Sequence, residues 1–192
     1  MSTSSEIIVV SGLPRSGTSL MMQMLDRGGI PAVTDELRTP DVDNPRGYYE
    51  FEAVKRTKQD ASWLPAARGR AVKLVSSLLY DLPATEAYRV LFMQRDLEEV
   101  LESQEKMLAR LGNSAAPRDK MRAAFRVHLE RLYEWLPQQS QMRVLMVDYN
   151  RLLLDAPTEV RSISDFLGGR ATAESMLAAI DPSLYRNRAS TS

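Results

Sequence analysis

The sequence predicts an α/β fold in which helices cover both faces of a mostly parallel central sheet. Three apolar runs each precede a stretch of helical periodicity, as in repeated strand–helix units: Ile7–Val10, Val90–Met93 and Val144–Val147. With 44% hydrophobic and 26% charged residues the chain can form a packed core, which excludes a globally disordered protein. Its 192 residues correspond to one ordinary domain.

In the first half, the strand Ile7–Val10 leads into a helix predicted from about Gly17 to Arg27. The two glycines that follow suit a left-handed C-terminal cap. The segment Ile30–Gly47 holds three prolines, many polar residues and no periodicity, which predicts a long loop of the kind that often carries function. Ala71–Val75 is a weaker fourth strand candidate.

In the second half, four further helices are predicted, over Asp96–Leu111, Arg118–Leu136, Pro157–Leu167 and Thr172–Ile180. Asp96 is a suitable N-cap, and Pro157 suits a first helical turn. We therefore expect a single domain over residues 1–192, with a core at about 6–168, a functional loop at 30–47 and an irregular tail at 181–192.

Composition excludes several function classes. Lysine plus arginine and aspartate plus glutamate number 25 each, which argues against a nucleic-acid or membrane-surface binder. Without cysteine there is no disulfide, cysteine-bound metal or thiol catalysis, and His128 alone cannot form a multi-histidine metal site. The first residues do not resemble a signal peptide, and the longest apolar run, Met176–Ile180, is too short to span a bilayer. We expect a cytoplasmic protein.

The segment Ser11–Ser19 has the pattern of an anion-binding loop. Gly12 and Gly17 bound a turn between a strand and a helix start, where several backbone N–H groups and the helix dipole favour phosphate or sulfate. The spacing matches the nucleotide P-loop, except that Thr18 stands where that loop has lysine, which argues against ATP or GTP turnover. Arg15 instead places a cation inside the loop. The alternative is a tight turn that only caps a helix.

The loop resembles that of a known protein family. Leu13–Ser19 resembles the 5′-phosphosulfate loop of sulfotransferases that use 3′-phosphoadenosine 5′-phosphosulfate (PAPS), which has lysine or arginine at the place of Arg15. Arg95 at a strand end and Ser103 eight positions later resemble the pair that holds the 3′-phosphate in this family. The resemblance implies a P-loop NTPase-like three-layer fold. It also implies cofactor binding by Pro14, Arg15, Ser16, Gly17, Thr18, Ser19, Arg95 and Ser103.

Further segments resemble the family less specifically. Asn44–Glu50 is similar to a segment of bacterial members. Val147–Tyr149, followed by Asp155–Pro157 and Phe166–Gly168, is similar to their C-terminal part. The resemblance extends from Ile7 to about Gly168, although only the two cofactor motifs are specific.

The resemblance implies in-line transfer to a hydroxyl or amine acceptor, with a general base and no required metal. The histidine base of the cytosolic branch has no counterpart, because Val75 stands at its position. Lys73 matches that branch's lysine and is expected to contact the leaving phosphate or a sulfuryl oxygen. The spacing from Arg15 to Glu36 is similar to that between loop arginine and catalytic glutamate in tyrosylprotein sulfotransferases, and Arg38 matches an arginine beyond it. The resemblance therefore implies Glu36, Arg15 and Lys73 as the catalytic residues.

Alternatives to this base remain open. Glu50 follows the same predicted loop and is the second choice, and Asp35 is the third. His128 lies on the apolar stripe of its helix, where a lone histidine is more often packed and hydrogen-bonded than catalytic.

Other readings of the whole chain also remain open. A P-loop kinase or nucleoside-phosphate transferase is the second hypothesis, and a non-catalytic protein that binds the product 3′-phosphoadenosine 5′-phosphate (PAP) is the third. The sequence leaves open whether the acceptor is a small molecule, a sugar or a peptide, and it does not indicate an oligomeric state. Four aromatic residues are candidates for an acceptor pocket or for the core: Tyr48, Tyr49, Trp63 and Tyr80.

Overall fold

A computed structural model describes residues 5–35 and 49–180. Its sheet has four parallel strands in the order β2-β1-β3-β4. They are β1 (Ile7–Gly12), β2 (Ala71–Lys73), β3 (Tyr88–Gln94) and β4 (Met142–Asp148). All three strands predicted from apolar runs are present and longer than predicted. The fourth is shorter, because after Lys73 the chain leaves the ladder with β1 and turns into a 3₁₀ helix.

Seven α-helices surround the sheet among the described residues. They are α1 (Thr18–Arg27), α2 (Leu64–Ala67), α3 (Leu97–Arg110), α4 (Arg118–Trp135), α5 (Tyr149–Leu154), α6 (Ala156–Phe166) and α7 (Ala173–Leu177). Short 3₁₀ helices lie at Glu52–Arg56, Ser76–Asp81 and Leu136–Gln138. The predicted helices are present, although the last is shorter than Thr172–Ile180. None of the helices in the described ranges is both long and apolar enough to cross a membrane.

Two hydrophobic clusters lie on opposite faces of the sheet, because successive strand side chains point to opposite sides. On one face, Ile8, Val10 and Leu91 pack with residues of α1, α6 and α7. On the other, Val9 and Phe92 pack with residues of α2, α4 and the 3₁₀ helix at 76–81. The predicted α/β class with helices on both faces is therefore confirmed.

The strand ends bring the predicted functional residues to one edge of the sheet. In the register, Gly12 pairs with Met93, and Val10 pairs with Lys73. Gln94 pairs with Asp148 in the same way. The residues that follow β1, β3 and β4 therefore share the carboxyl edge, which is where parallel α/β sheets bind ligands.

Candidate active site

The loop between β1 and α1 is a tight, internally bonded turn. The backbone N–H and the side-chain Oγ of Ser16 both donate to the carbonyl oxygen of Leu13, at 3.2 and 2.7 Å. Ser16 is buried. The loop shape is therefore held by its own hydrogen bonds and leads directly into the first turn of α1.

Two glycines are required by this shape. A Cβ on Gly12 would lie 2.4 Å from Ser16 Oγ and 2.7 Å from the carbonyl oxygen of Met93. Gly17 has a φ of +98°, and a Cβ there would lie 2.3 Å from Cδ2 of Tyr149. Both of these Cβ distances would be much shorter than van der Waals contact. Met93 and Tyr149 can therefore approach the loop as closely as they do only because Gly12 and Gly17 have no side chain.

Replacing Gly17 by alanine tests this packing. Gly29 is the matched control, because its φ of +97° is nearly the same and a Cβ there would meet nothing within 4 Å. Gly29→Ala is expected to cost about 1–2 kcal/mol for the left-handed backbone alone. Gly17→Ala is expected to cost about 1–3 kcal/mol more, because the methyl group must displace the Tyr149 ring. Urea unfolding measures both, and equal losses would contradict the close ring contact.

Arg15 connects the loop to the second predicted motif. It has a φ of +70°, a left-handed conformation that is unusual and strained for a residue with a side chain. Its Nε donates to Oγ of the buried Ser103 at 3.0 Å, and its carbonyl oxygen accepts from Nη1 of Arg95 at 3.1 Å. The two motifs that the sequence predicts separately are therefore in direct contact.

The Arg95–Asp96 pair divides into two roles. The Asp96 carboxylate caps α3 by accepting from the backbone N–H groups of Glu98 and Glu99. Arg95 turns toward the loop: its Nε donates to Oε2 of Glu99 at 2.9 Å, and its guanidinium carbon lies 4.6 Å from the centre of the Tyr149 ring. Burial raises the pKa of Tyr149, so the ring under this cation is a neutral phenol.

Lys73 at the end of β2 reaches the same loop. Its Nζ donates to Oγ of Ser19 in the first turn of α1 at 3.3 Å and lies 4.0 Å from Oε1 of Glu50. Glu50 is held nearby through its carbonyl oxygen, which accepts from the Thr34 hydroxyl and from the Asp35 N–H. The structure thus brings Lys73 and the second-choice base Glu50 to the start of α1.

The first-choice base lies outside the described residues. Glu36, Arg38 and the Asn44–Tyr48 part of the family-like segment all fall in the range 36–48. The third-choice base, Asp35, is described: its Oδ2 accepts from the backbone N–H of Glu52 at 2.6 Å, where a 3₁₀ helix begins. That bond gives Asp35 a capping role.

His128 lies on α4 in contact with the segment that follows β2. Its Nε2 is 2.8 Å from Oγ of the buried Ser76, and its ring lies edge-on to Tyr80. Burial lowers the pKa of His128, so the imidazole is neutral at pH 7. With Val127 and Trp135 it lines an open surface groove of about 790 Å³.

The other candidate aromatic residues are dispersed. Trp63 packs edge-on against Phe51 at a ring separation of 5.6 Å, beside the second hydrophobic cluster. The hydroxyl of Tyr49 donates to Oδ2 of Asp26 at 3.4 Å. Tyr80 lines the groove beside His128. Within residues 5–35 and 49–180, the structure brings together no group of three histidine, aspartate or glutamate side chains able to hold a metal ion.

Sequence reasoning missed two polar residues that support the site. The carboxylate of Glu99 is buried, and its Oε1 accepts from Nδ2 of Asn150 at 3.1 Å. The four-residue spacing from Arg95 to Glu99 is typical of a helical ion pair and was available as a signal. Asn150 carries no such signal, because its partner lies 51 positions away in the chain.

Comparisons with known proteins agree on one family. The family model described as "Sulfotransferase domain" matches residues 5–188. No protein of curated function matches the sequence. Among solved structures, the fold resembles the sulfotransferase domain of the Synechococcus PCC 7002 olefin synthase, with a TM-score of 0.61 and 16% identity over 93% of this chain and 85% of that one.

Two other solved structures share the fold. The sulfotransferase domain from the curacin biosynthetic pathway gives a TM-score of 0.56 and 17% identity, over 92% of this chain and 78% of that one. Sulfotransferase STF9 from Mycobacterium avium gives a TM-score of 0.55 and 14% identity, over 93% of this chain and 67% of that one. At these identities the structures support the P-loop-like fold, and the family model, which matches most of the chain, assigns membership. The chain belongs to the sulfotransferase family.

Proposed function

We propose that the chain transfers a sulfuryl group from PAPS to a hydroxyl or amine acceptor. The observation that carries the proposal is the hydrogen bond from Arg15 Nε to Ser103 Oγ, which joins the loop to the motif after β3. PAPS has anionic groups at both the 5′ and the 3′ position of one ribose. A ligand of that kind needs two adjoining cationic sites, and Arg15 and Arg95 provide them.

The loop suits the 5′ end of such a ligand. Gly12 and Gly17 leave no Cβ over a turn that enters α1, where backbone N–H groups and the helix dipole favour an anion. The Thr18 and Ser19 hydroxyls belong to the first turn of that helix. We assign the 5′-phosphosulfate to residues 14–19 and the 3′-phosphate to Arg95 and Ser103. When bound, the phosphosulfate supplies an activated sulfuryl group with a phosphate as leaving group.

In the proposed mechanism, cations and a carboxylate of this chain serve one in-line displacement. The acceptor oxygen or nitrogen forms a bond to sulfur while the bond from sulfur to the bridging phosphate oxygen breaks. Arg15 and Lys73 stabilise the negative charge that develops between the sulfuryl group and the departing phosphate. The acceptor proton passes to a glutamate, for which the family spacing from Arg15 supports Glu36.

Glu50 is the alternative base, and its position near Lys73 and the start of α1 supports this choice. Its carboxylate lies 4.0 Å from Lys73 Nζ, which in turn bonds to Ser19 at the start of α1. A carboxylate at that place would also serve to orient Lys73. Because the family spacing from Arg15 favours Glu36, we keep Glu36 as the base and assign Glu50 to the orientation of Lys73.

Nucleotide preference tests the proposed function. PAP and 5′-AMP differ only in the 3′-phosphate, so calorimetric titration in EDTA is expected to show about 10- to 100-fold tighter binding of PAP. Arg95→Ala should bring the two affinities close together, and Arg126→Ala, at an exposed position of α4, should change neither. Equal affinities for PAP and 5′-AMP in the parent protein would contradict the assignment. A P-loop kinase would instead require Mg²⁺ and bind ATP.

A further inference from the structure

We propose that Glu99 is a positioning residue for the 3′-phosphate site: its buried carboxylate, braced by Asn150, sets the orientation of the Arg95 guanidinium. This inference rests on the proposed function, because it assumes that Arg95 receives the 3′-phosphate. It assigns a role in ligand selectivity to a residue that would not touch the ligand.

The Glu99 side chain is buried and paired. Only 2% of its side chain is exposed, and both carboxylate oxygens are hydrogen-bonded. Oε2 accepts from Arg95 Nε at 2.9 Å, and Oε1 accepts from Asn150 Nδ2 at 3.1 Å. A buried carboxylate is stable only when paired, so the positions of Arg95 and Glu99 depend on each other.

The guanidinium plane of Arg95 is fixed by several contacts. Besides the bond to Glu99, Nη1 of Arg95 donates to the Arg15 carbonyl oxygen, and the guanidinium lies over the ring of Tyr149. Contacts on two edges and one face determine the rotation of a group that is otherwise mobile. A guanidinium held in this way binds a phosphate with less loss of side-chain entropy.

Glu99 lies on the same helix as Ser103. The two residues are four apart on α3, so they lie on the same face of the helix, and both are buried. The helix face that supplies the Ser103 hydroxyl therefore also supplies the carboxylate that fixes Arg95. Asn150 connects this face to the β4–α5 junction. It directly follows Tyr149, whose ring lies beneath Arg95.

A purely electrostatic role of Glu99 would change the preference for PAP in the opposite direction. If Glu99 acted mainly by neutralising Arg95, its removal would strengthen the attraction for a phosphate. If it acts by positioning, its removal loosens the guanidinium and weakens the preference for PAP. The ratio of the 5′-AMP and PAP dissociation constants therefore separates the two roles.

The experiment measures that ratio by calorimetry in Glu99→Gln. Glutamine has nearly the same shape, and the Asn150 amide can rotate to present its oxygen to the new NH₂ group. The preference for PAP is expected to fall about three- to tenfold, with 5′-AMP affinity nearly unchanged. In an Arg95→Ala background the same substitution should change the preference by less than about twofold, since its effect acts through Arg95. Glu102→Gln, on the exposed side of α3, should leave the preference unchanged.

Several results would overturn this role. An unchanged or increased preference in Glu99→Gln, an equal loss for both ligands, or the same loss in the Arg95→Ala background each contradicts positioning. If circular dichroism shows Glu99→Gln to be unfolded, Asn150→Ala takes its place, with an expected loss of preference of about two- to threefold. A parent protein without preference for PAP would contradict the proposed function and this role with it. A parent preference that survives both substitutions would contradict the positioning role alone.

Discussion

Replacing Glu36 by glutamine is expected to lower turnover by about 10²–10⁴ while the dissociation constant of PAP stays nearly the same, because a general base acts only in the chemical step. The rate of the parent enzyme should fall at low pH, where the base is protonated and cannot accept the acceptor proton. In Glu36→Gln that acidic limb should weaken or vanish, because the titrating carboxyl is gone. Steady-state rates across pH at saturating PAPS measure both effects.

The controls for Glu36 are the same change at the other candidate bases. Glu50→Gln should lower turnover much less, through Lys73, whose ammonium lies 4.0 Å from the Glu50 carboxylate. His128→Gln should have little effect, because the histidine is bonded to Ser76. Turnover that survives in Glu36→Gln and collapses in Glu50→Gln or His128→Gln would transfer the role of base to that residue.

Arg15→Ala is expected to lower turnover at saturating PAPS by about 10²–10³, with a smaller effect on PAP affinity. The guanidinium is assigned to charge that develops in the transition state, which PAP lacks because it has lost the sulfuryl group. Rapid-quench measurement of transfer, together with calorimetric PAP binding, separates the two effects. Loss of PAP affinity with turnover intact would make Arg15 an anchor of the bound nucleotide.

Two variants at the same position separate charge from backbone strain. Arg15→Lys keeps a cation and should retain more transfer than Arg15→Ala. Arg15→Gly removes the cation as Arg15→Ala does, but glycine adopts the φ of +70° without strain, so it should be about 1 kcal/mol more stable than Arg15→Ala while transfer stays low. A glycine variant as active as the parent would contradict the catalytic role of the side chain.

The sequence predicted the parts of the fold that rest on local patterns. β1 and β3 are recognisable because their apolar runs are buried on both faces, whereas the run of β4, at the edge of the sheet, is only partly buried. The helix α3 is recognisable because Asp96 caps it and Gly112 follows it. The short helices α2 and α5 were missed, since helices of four and six residues contain too few turns to show periodicity. The Asp148 carboxylate that caps α5 was the available signal.

Part of the candidate site likewise follows from local patterns in the sequence. Glycine spacing and the order of strand and helix predicted the loop, and Arg15 and Ser103 prove to be in contact. The Glu99–Asn150 contact depends on how α3 packs against the β4–α5 junction, which no local pattern encodes. The same holds for the approach of Glu50 to Lys73, which depends on how the chain returns to the edge of β2.

The proposed function requires that the loop at 11–19 and the Arg95–Ser103 motif bind the two ends of one nucleotide. A crystal structure of the protein with PAP tests it most directly. We expect the 5′-phosphate within hydrogen-bonding distance of the backbone N–H groups of residues 14–19, and the 3′-phosphate against Arg95 and Ser103. PAP bound with its ends exchanged, or at another place on the protein, would contradict it.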